Sequence, residues 1–129
     1  MTRAVIDTNV LVSGLLTSHG NCAVVIEMIQ GGQVSVCYDM RILEEYREVL
    51  LRPEFGFSKT QVNDLVDLIR LTGEEVIAPR SSQDLPDEDD RMFVEVARKA
   101  NAPIVTGNMK HFPEVDQVQT PAQFVSHGI

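Results

Sequence analysis

Short apolar runs alternate along this chain with longer stretches of helical periodicity. Arg3 to Ile6 ends in Ala4-Val5-Ile6 and then turns polar at Asp7-Thr8-Asn9. Val34 to Tyr38, Glu75 to Ala78 and Pro103 to Thr106 read as further strands, and Gln117 to Gln119 as a short fifth. Helical segments lie between them. The first begins at Val10 and reaches Leu16, and a second covers Cys22 to Gln30 before Gly31-Gly32. Asp39 caps a helix to about Leu51, and Ser58 caps one from Lys59 to Leu71 that Gly73 stops. Asp87 to Asp90 opens a helix to Ala100, and Thr120-Pro121 starts a last short one. This alternation predicts a three-layer α/β sandwich with a mostly parallel sheet of four or five strands, covered on both faces. Ligands in such sheets bind beyond the carboxyl ends of the strands. The polar residues directly after strands, and those opening the next helices, are therefore the ones to weigh.

A chain of 129 residues fits a single domain, 1–129, able to bury a core without disulfides or a structural metal. Cys22 and Cys37 sit in apolar settings without CxxC spacing, the pattern of buried thiols in a cytoplasmic protein rather than of a zinc site. No apolar run approaches the roughly 20 residues that span a membrane, and the start lacks a signal-peptide layout. The expectation is a soluble cytoplasmic protein with no membrane association. With 11 Lys+Arg against 19 Asp+Glu, the net charge of −8 excludes a passive basic nucleic-acid coat. The absence of tryptophan argues against an aromatic platform for stacking bases. An acidic enzyme still acts on phosphates where metal ions mediate the contact.

The acids themselves are patterned. Asp7 directly follows the first apolar run, where it could equally cap the next helix. In the 39–51 helix, Ile42, Leu43, Tyr46, Val49 and Leu50 form a stripe that Glu45 borders, whereas Glu44 and Glu48 face the other way. A carboxylate beside a buried stripe is costly unless paired, and Arg41 is a candidate partner. Asp84 and Asp87 to Asp90 exceed what a helix start requires, and a run of four carboxylates repels itself and calls for a cation. Asp89 and Asp90 have similar phase, so periodicity does not separate them. Thr106-Gly107-Asn108 mirrors the position of Asp7 at another strand end, with Lys110 and His111 close behind. Oxygen donors alone select Mg²⁺ or Mn²⁺ over zinc. Such ions activate water and stabilise the charge that develops on a phosphodiester.

Four blocks, in order, resemble the PIN-domain family, and within it the single-domain prokaryotic proteins similar to VapC toxins. They are Val5-Ile6-Asp7-Thr8-Asn9-Val10-Leu11-Val12-Ser13, Ile42 to Leu50, Asp87 to Ala97, and Ile104-Val105-Thr106-Gly107-Asn108. The resemblance implies a metal-dependent nuclease acting on RNA, with Asp7, Glu45 and Asp90 as catalytic acids that hold Mg²⁺ or Mn²⁺. The family's fourth position, often Asp, is Asn108 here, and Asp87 could compensate for the lost charge, which leaves open one metal or two. Thr8, Asn9, Ser13 and Thr106 match polar positions that line the family's site and would bind water or phosphate; Lys110, a donor near the same edge, is a further substrate-binding candidate, and His111 would contact phosphate. The implied mechanism is in-line attack of water, leaving a 3′-hydroxyl and a 5′-phosphate. The three acids should converge within reach of one cation, with Asp87 and Asn108 at the rim, and at least one acid should carry a pKa raised by mutual repulsion.

RNA is the implied substrate, an antitoxin protein a possible partner, and a homodimer the expected assembly. For the homodimer the residues add one hint, the wide apolar surface of Val62, Leu65, Val66, Leu68, Ile69 and Leu71. The competing function is a catalytically weakened PIN-like module that binds RNA or a protein. An aspartyl-phosphate phosphatase is disfavoured, because Asp7-Thr8-Asn9 lacks the second acid of Asp-x-Asp.

Overall fold

The computed structural model describes residues 2–78, 90–112, 115 and 117–128. In chain order the elements are β1 (Thr2–Ile6), α1 (Thr8–Leu16), α2 (Asn21–Gln30), β2 (Val34–Tyr38), α3 (Met40–Leu50) and α4 (Lys59–Thr72). They continue as β3 (Glu74–Glu75), α5 (Arg91–Ala100), β4 (Ile104–Val105), β5 (Val118–Gln119) and α6 (Pro121–Gly128). Single 3₁₀ turns occupy Pro53–Phe55 and Met109–His111.

Among the described residues, five strands form one sheet in the order β3-β2-β1-β4-β5, and their pairings are all parallel. With helices over it, this is the three-layer α/β sandwich that the alternation predicts. Ala4, Val5, Ile6, Val36, Cys37, Ile104 and Val105 are almost wholly excluded from solvent. Continuous apolar runs of this kind are what a parallel strand covered on both faces needs. The chain moves outward from β1 through β2 to β3, then returns to β4 on the other side of β1. The crevice at the carboxyl ends of β1 and β4 is therefore the topological switch point, where α/β sheets place their ligands.

Local signals set most helix ends. The Asp39 carboxylate accepts from the Ile42 N–H at 3.1 Å, and the Ser58 hydroxyl from the Gln61 N–H at 3.0 Å. At α6 the Thr120 hydroxyl accepts from the Gln123 N–H while the Gln123 side chain accepts from the Thr120 N–H, a reciprocal capping box. Gly14 lets α1 and α2 touch, since a Cβ there would lie 2.6 Å from the Cys22 carbonyl oxygen.

Three expectations change in detail. α1 starts at Thr8, directly after the strand, rather than at Val10. The third strand, expected over 75–78, is Glu74–Glu75, extended only by the Val76 N–H donating to the Tyr38 carbonyl. Asp39 turns the chain into α3 after Tyr38, so Ile77 has no strand to pair with and is 87% exposed. The apolar face of α4 is turned inward: Val62, Leu65, Val66 and Ile69 are buried in the chain's own core, and Leu71 is exposed. That surface no longer supports a homodimer. Among the described residues, no single helix is long and apolar enough to cross a membrane.

Candidate active site

Asp7 and Thr106 are the first residues beyond β1 and β4. The pairing of Ile6 with Val105 puts them side by side, and the Asp7 N–H donates to the Val105 carbonyl at 2.9 Å. The Thr106 hydroxyl, fully buried, donates to Asp7 Oδ2 at 2.7 Å across 99 residues of sequence. It also accepts from the Asn108 N–H at 3.1 Å, so the loop after β4 is folded around the same oxygen. Asp7 occupies the N-cap position of α1 without a side-chain capping bond. The Thr8 and Asn9 N–H groups still favour its charged form, and the hydrogen bond that fixes the carboxylate is the one from Thr106.

Asp7 is 6% exposed. Burial pushes its carboxyl above the usual range, against the opposing pull of the Thr106 hydroxyl, the Asn9 N–H, His111 and the Thr8 N–H. The expected raised acid is thus present, but its cause is desolvation and not repulsion by neighbouring carboxylates.

Glu45 reaches the same edge from α3. It is half-buried between the exposed Glu44 and the buried Tyr46, as the stripe predicts. The Thr8 hydroxyl donates to Glu45 Oε2 at 3.0 Å, which links the first turn of α1 to α3. Arg41 does not spend its guanidinium on Glu45: it pairs with Asp39 and with Glu95, each at 2.7 Å. Tyr46, next in sequence, is wholly buried and donates to the Ile6 carbonyl at 2.6 Å. That bond anchors α3 to the residue preceding Asp7, and the stripe had shown Tyr46 only as an apolar contact. A tyrosine on a buried face needs a hydroxyl partner, which is the signal that could have marked it.

Asp90 is the residue before α5, 9% exposed, with its Oδ2 3.9 Å from His111 Nδ1. His111 thereby stands between the loop after β4 and the start of α5. Asp84, Asp87, Glu88 and Asp89 lie outside the described residues. Asn108 is exposed, and its side chain accepts from the Lys110 N–H at 3.2 Å, so it shapes the 3₁₀ turn. Asn9, Ser13 and Lys110 are exposed, while Thr8 and Thr106 are buried.

Among the described residues, no three His, Cys, Asp or Glu side chains are grouped closely enough to hold one ion. The expected convergence of Asp7, Glu45 and Asp90 within reach of a single cation is therefore not met in this arrangement. Like charges gain nothing by approaching without a cation, and the Thr106 and Thr8 hydroxyls donate to Asp7 and Glu45 in its place. The donors nevertheless fit a hard divalent ion in chemistry. They are oxygens, and Asp7 carries a buried charge that among the described residues no lysine or arginine pairs with.

The family model described as "PIN domain" matches residues 3–110, which contain β1 through the turn after β4. The chain matches no curated protein and no solved structure. PIN domains are generally nucleases and typically use divalent metals. The match spans most of the sequence, and Asp7, which it covers, stands at the switch point of the sheet; this chain belongs to the PIN-domain family.

Proposed function

We propose that the chain is a metal-dependent endoribonuclease that hydrolyses RNA phosphodiester bonds, the toxin component of a toxin–antitoxin pair. The observation that carries the proposal is the buried Asp7 at the switch point, tied to Thr106 from the neighbouring strand end. Asp7, Glu45 and Asp90 would hold Mg²⁺ or Mn²⁺, with Asp87 and Asn108 as further oxygen donors. When bound, the ion supplies an activated water and stabilises the charge that develops on the scissile phosphate. Thr106 and Thr8 orient the carboxylate oxygens of Asp7 and Glu45. Lys110, exposed beside the site, offers a cation to the RNA backbone, as do the N–H groups of His111 when protonated. The net charge of −8 makes this contact depend on bound divalent ions, so RNA affinity should rise with them. A cytoplasmic location, an antitoxin partner and a homodimer are parts of the same proposal.

A second reading has one observation in its favour. Asn108 is neutral where the family often has Asp, and its side chain is already used within the turn. A catalytically weakened module that binds RNA or a protein would tolerate this. Incubating RNA with the purified chain, with and without Mn²⁺, separates the two. Metal-dependent products with 5′-phosphate ends, lost in Asp7→Asn, support the nuclease. RNA binding without cleavage at any metal concentration supports the module.

A further inference from the structure

Arg41 and Glu95 form a bridge that the nuclease chemistry does not use. Arg41 is in the first turn of α3, four residues before Glu45 and on the same side of the helix. Glu95 is on α5, five residues after Asp90. Arg41 Nη1 donates to Glu95 Oε1 at 2.7 Å, and its Nε and Nη2 donate to Asp39 Oδ2 at 2.9 and 2.7 Å. The Glu95 side chain is only 2% exposed. Its neighbours Phe93, Val94, Val96 and Ala97 are all buried, so this carboxylate stands inside a helix that is otherwise apolar at that level.

An ion pair whose carboxylate is buried carries a desolvation cost that packed apolar side chains avoid, so stability alone is a weak reason for it. Its distinctive property is direction. A guanidinium is a rigid fork, and here the Asp39 carboxylate, itself fixed as the cap of α3, holds two of its nitrogens. The remaining nitrogen then meets Glu95 over a narrow range of separations of the two helices. α3 is thus tied on both sides of Glu45: by Arg41 to α5 and by Tyr46 to the end of β1.

We infer that the Arg41–Glu95 bridge is a positioning clamp, fixing α3 against α5 and so setting where Glu45 and Asp90 stand to receive a divalent cation. Arg41 and Glu95 are positioning residues and touch neither substrate nor metal. The inference rests on the metal-dependent reading of the site, so its test includes a measurement independent of cleavage and one independent of metal.

The variant is Arg41→Met with Glu95→Leu, which fills similar volume without charge. Its melting temperature should equal or exceed that of the wild type. Mn²⁺ affinity, measured by calorimetry without RNA, should fall about 10- to 100-fold, as when partners that orient metal ligands are lost. The kcat for RNA should fall with KM unchanged. NMR contacts between the Tyr46 and Phe93 rings, whose centroids are 6.5 Å apart across α3 and α5, should weaken or shift without metal. Glu95→Gln keeps an oxygen acceptor at the same reach and should recover most of the Mn²⁺ affinity. It also serves if the double variant does not fold, since any loss should then be severalfold and smaller than for Arg41→Ala. Wild-type-like Mn²⁺ affinity and ring contacts in the double variant, or in both Glu95→Gln and Arg41→Ala, overturn the clamp while leaving the nuclease reading intact. A wild-type chain that binds no Mn²⁺ overturns the metal-dependent reading, and the clamp with it.

Discussion

Asp7 and Glu95 are carboxylates buried to nearly the same depth, 6% and 5% exposed, and the fold treats them differently. Glu95 is met at 2.7 Å by a guanidinium from 54 residues away. Asp7 is met by a threonine hydroxyl and backbone N–H groups, with His111 as a cation only when protonated. One charge is neutralised within the structure. The other is oriented by it and, in the proposed function, would be met by a divalent cation. A carboxylate that holds two elements together is paired, whereas one that has to meet a ligand can be left costly.

The largest expected effect bears on that contrast directly. Asp7→Asn keeps the shape and the Thr106 contact but removes the charge. Metal-dependent RNA cleavage should fall by about 100-fold or more, since a metal ligand contributes several kcal/mol to transition-state stabilisation. An unchanged cleavage rate would place Asp7 with Glu95 as a structural acid.

Next comes the other side of the comparison. Glu95→Ala should lower stability by about 2 kcal/mol in urea denaturation. That is below the usual range for breaking a buried pair, because the Arg41 side chain is 34% exposed and stays solvated. A loss below a few tenths would mean that Glu95 is not neutralised where the geometry places it.

Tyr46→Phe removes the hydroxyl that holds the Ile6 carbonyl while leaving the ring in the core. The buried carbonyl then loses a partner, and stability should drop by about 1–2 kcal/mol. Because that bond lies between Glu45 and Asp7 in the fold, Mn²⁺ affinity should weaken as well; thermal melts with and without Mn²⁺ read both effects.

Thr106→Val sharpens the contrast further. Loss of the hydroxyl should raise the Asp7 pKa beyond its already raised position, because the Thr106 hydrogen bond favours the charged form. Mn²⁺ affinity should fall about 10-fold, and a carboxyl-resolved NMR titration reports the pKa. If the Asp7 pKa falls instead, the bond does not stabilise the anion.

The smallest effect is on stability against pH. A carboxyl whose folded pKa is raised costs stability at every pH above that folded value. The cost is relieved as pH falls through the folded value toward the ordinary 3.8. Without metal, Asp7→Asn should therefore melt above the wild type near neutral pH, and the advantage should vanish in acid. Saturating Mn²⁺ should reverse the order at neutral pH, since an ion that binds only the native wild type stabilises it. A wild type that is the more stable of the two without metal at neutral pH would show that burial does not penalise Asp7.

The strand–helix alternation, most helix ends and the place of Asp7 were legible because they depend on neighbours in the chain. Ala4-Val5-Ile6 is a run with no polar face, so it must be a strand covered on both sides. Asp39, Ser58 and Thr120 cap through bonds that close within three residues. The phase of Glu45 beside Ile42 and Tyr46 follows from helical spacing alone. The resemblance, in turn, named the acids that periodicity could not choose between, such as Asp90 over Asp89.

What the tertiary structure alone decided are the partners. Thr106 meets Asp7 across 99 residues, Thr8 meets Glu45 across 37, and Arg41 chooses Glu95 over the nearer Glu45. Helical spacing offers Arg41 the acids three and four residues on, Glu44 and Glu45, and no view of α5. The edge of β3 and the inward turn of α4 were likewise settled by what packs beside them. Periodicity reports which face of an element is buried, because that depends on the residue's own polarity. It does not report which side chain from elsewhere meets it, because that depends on strand order and helix spacing, and those are properties of the whole sheet.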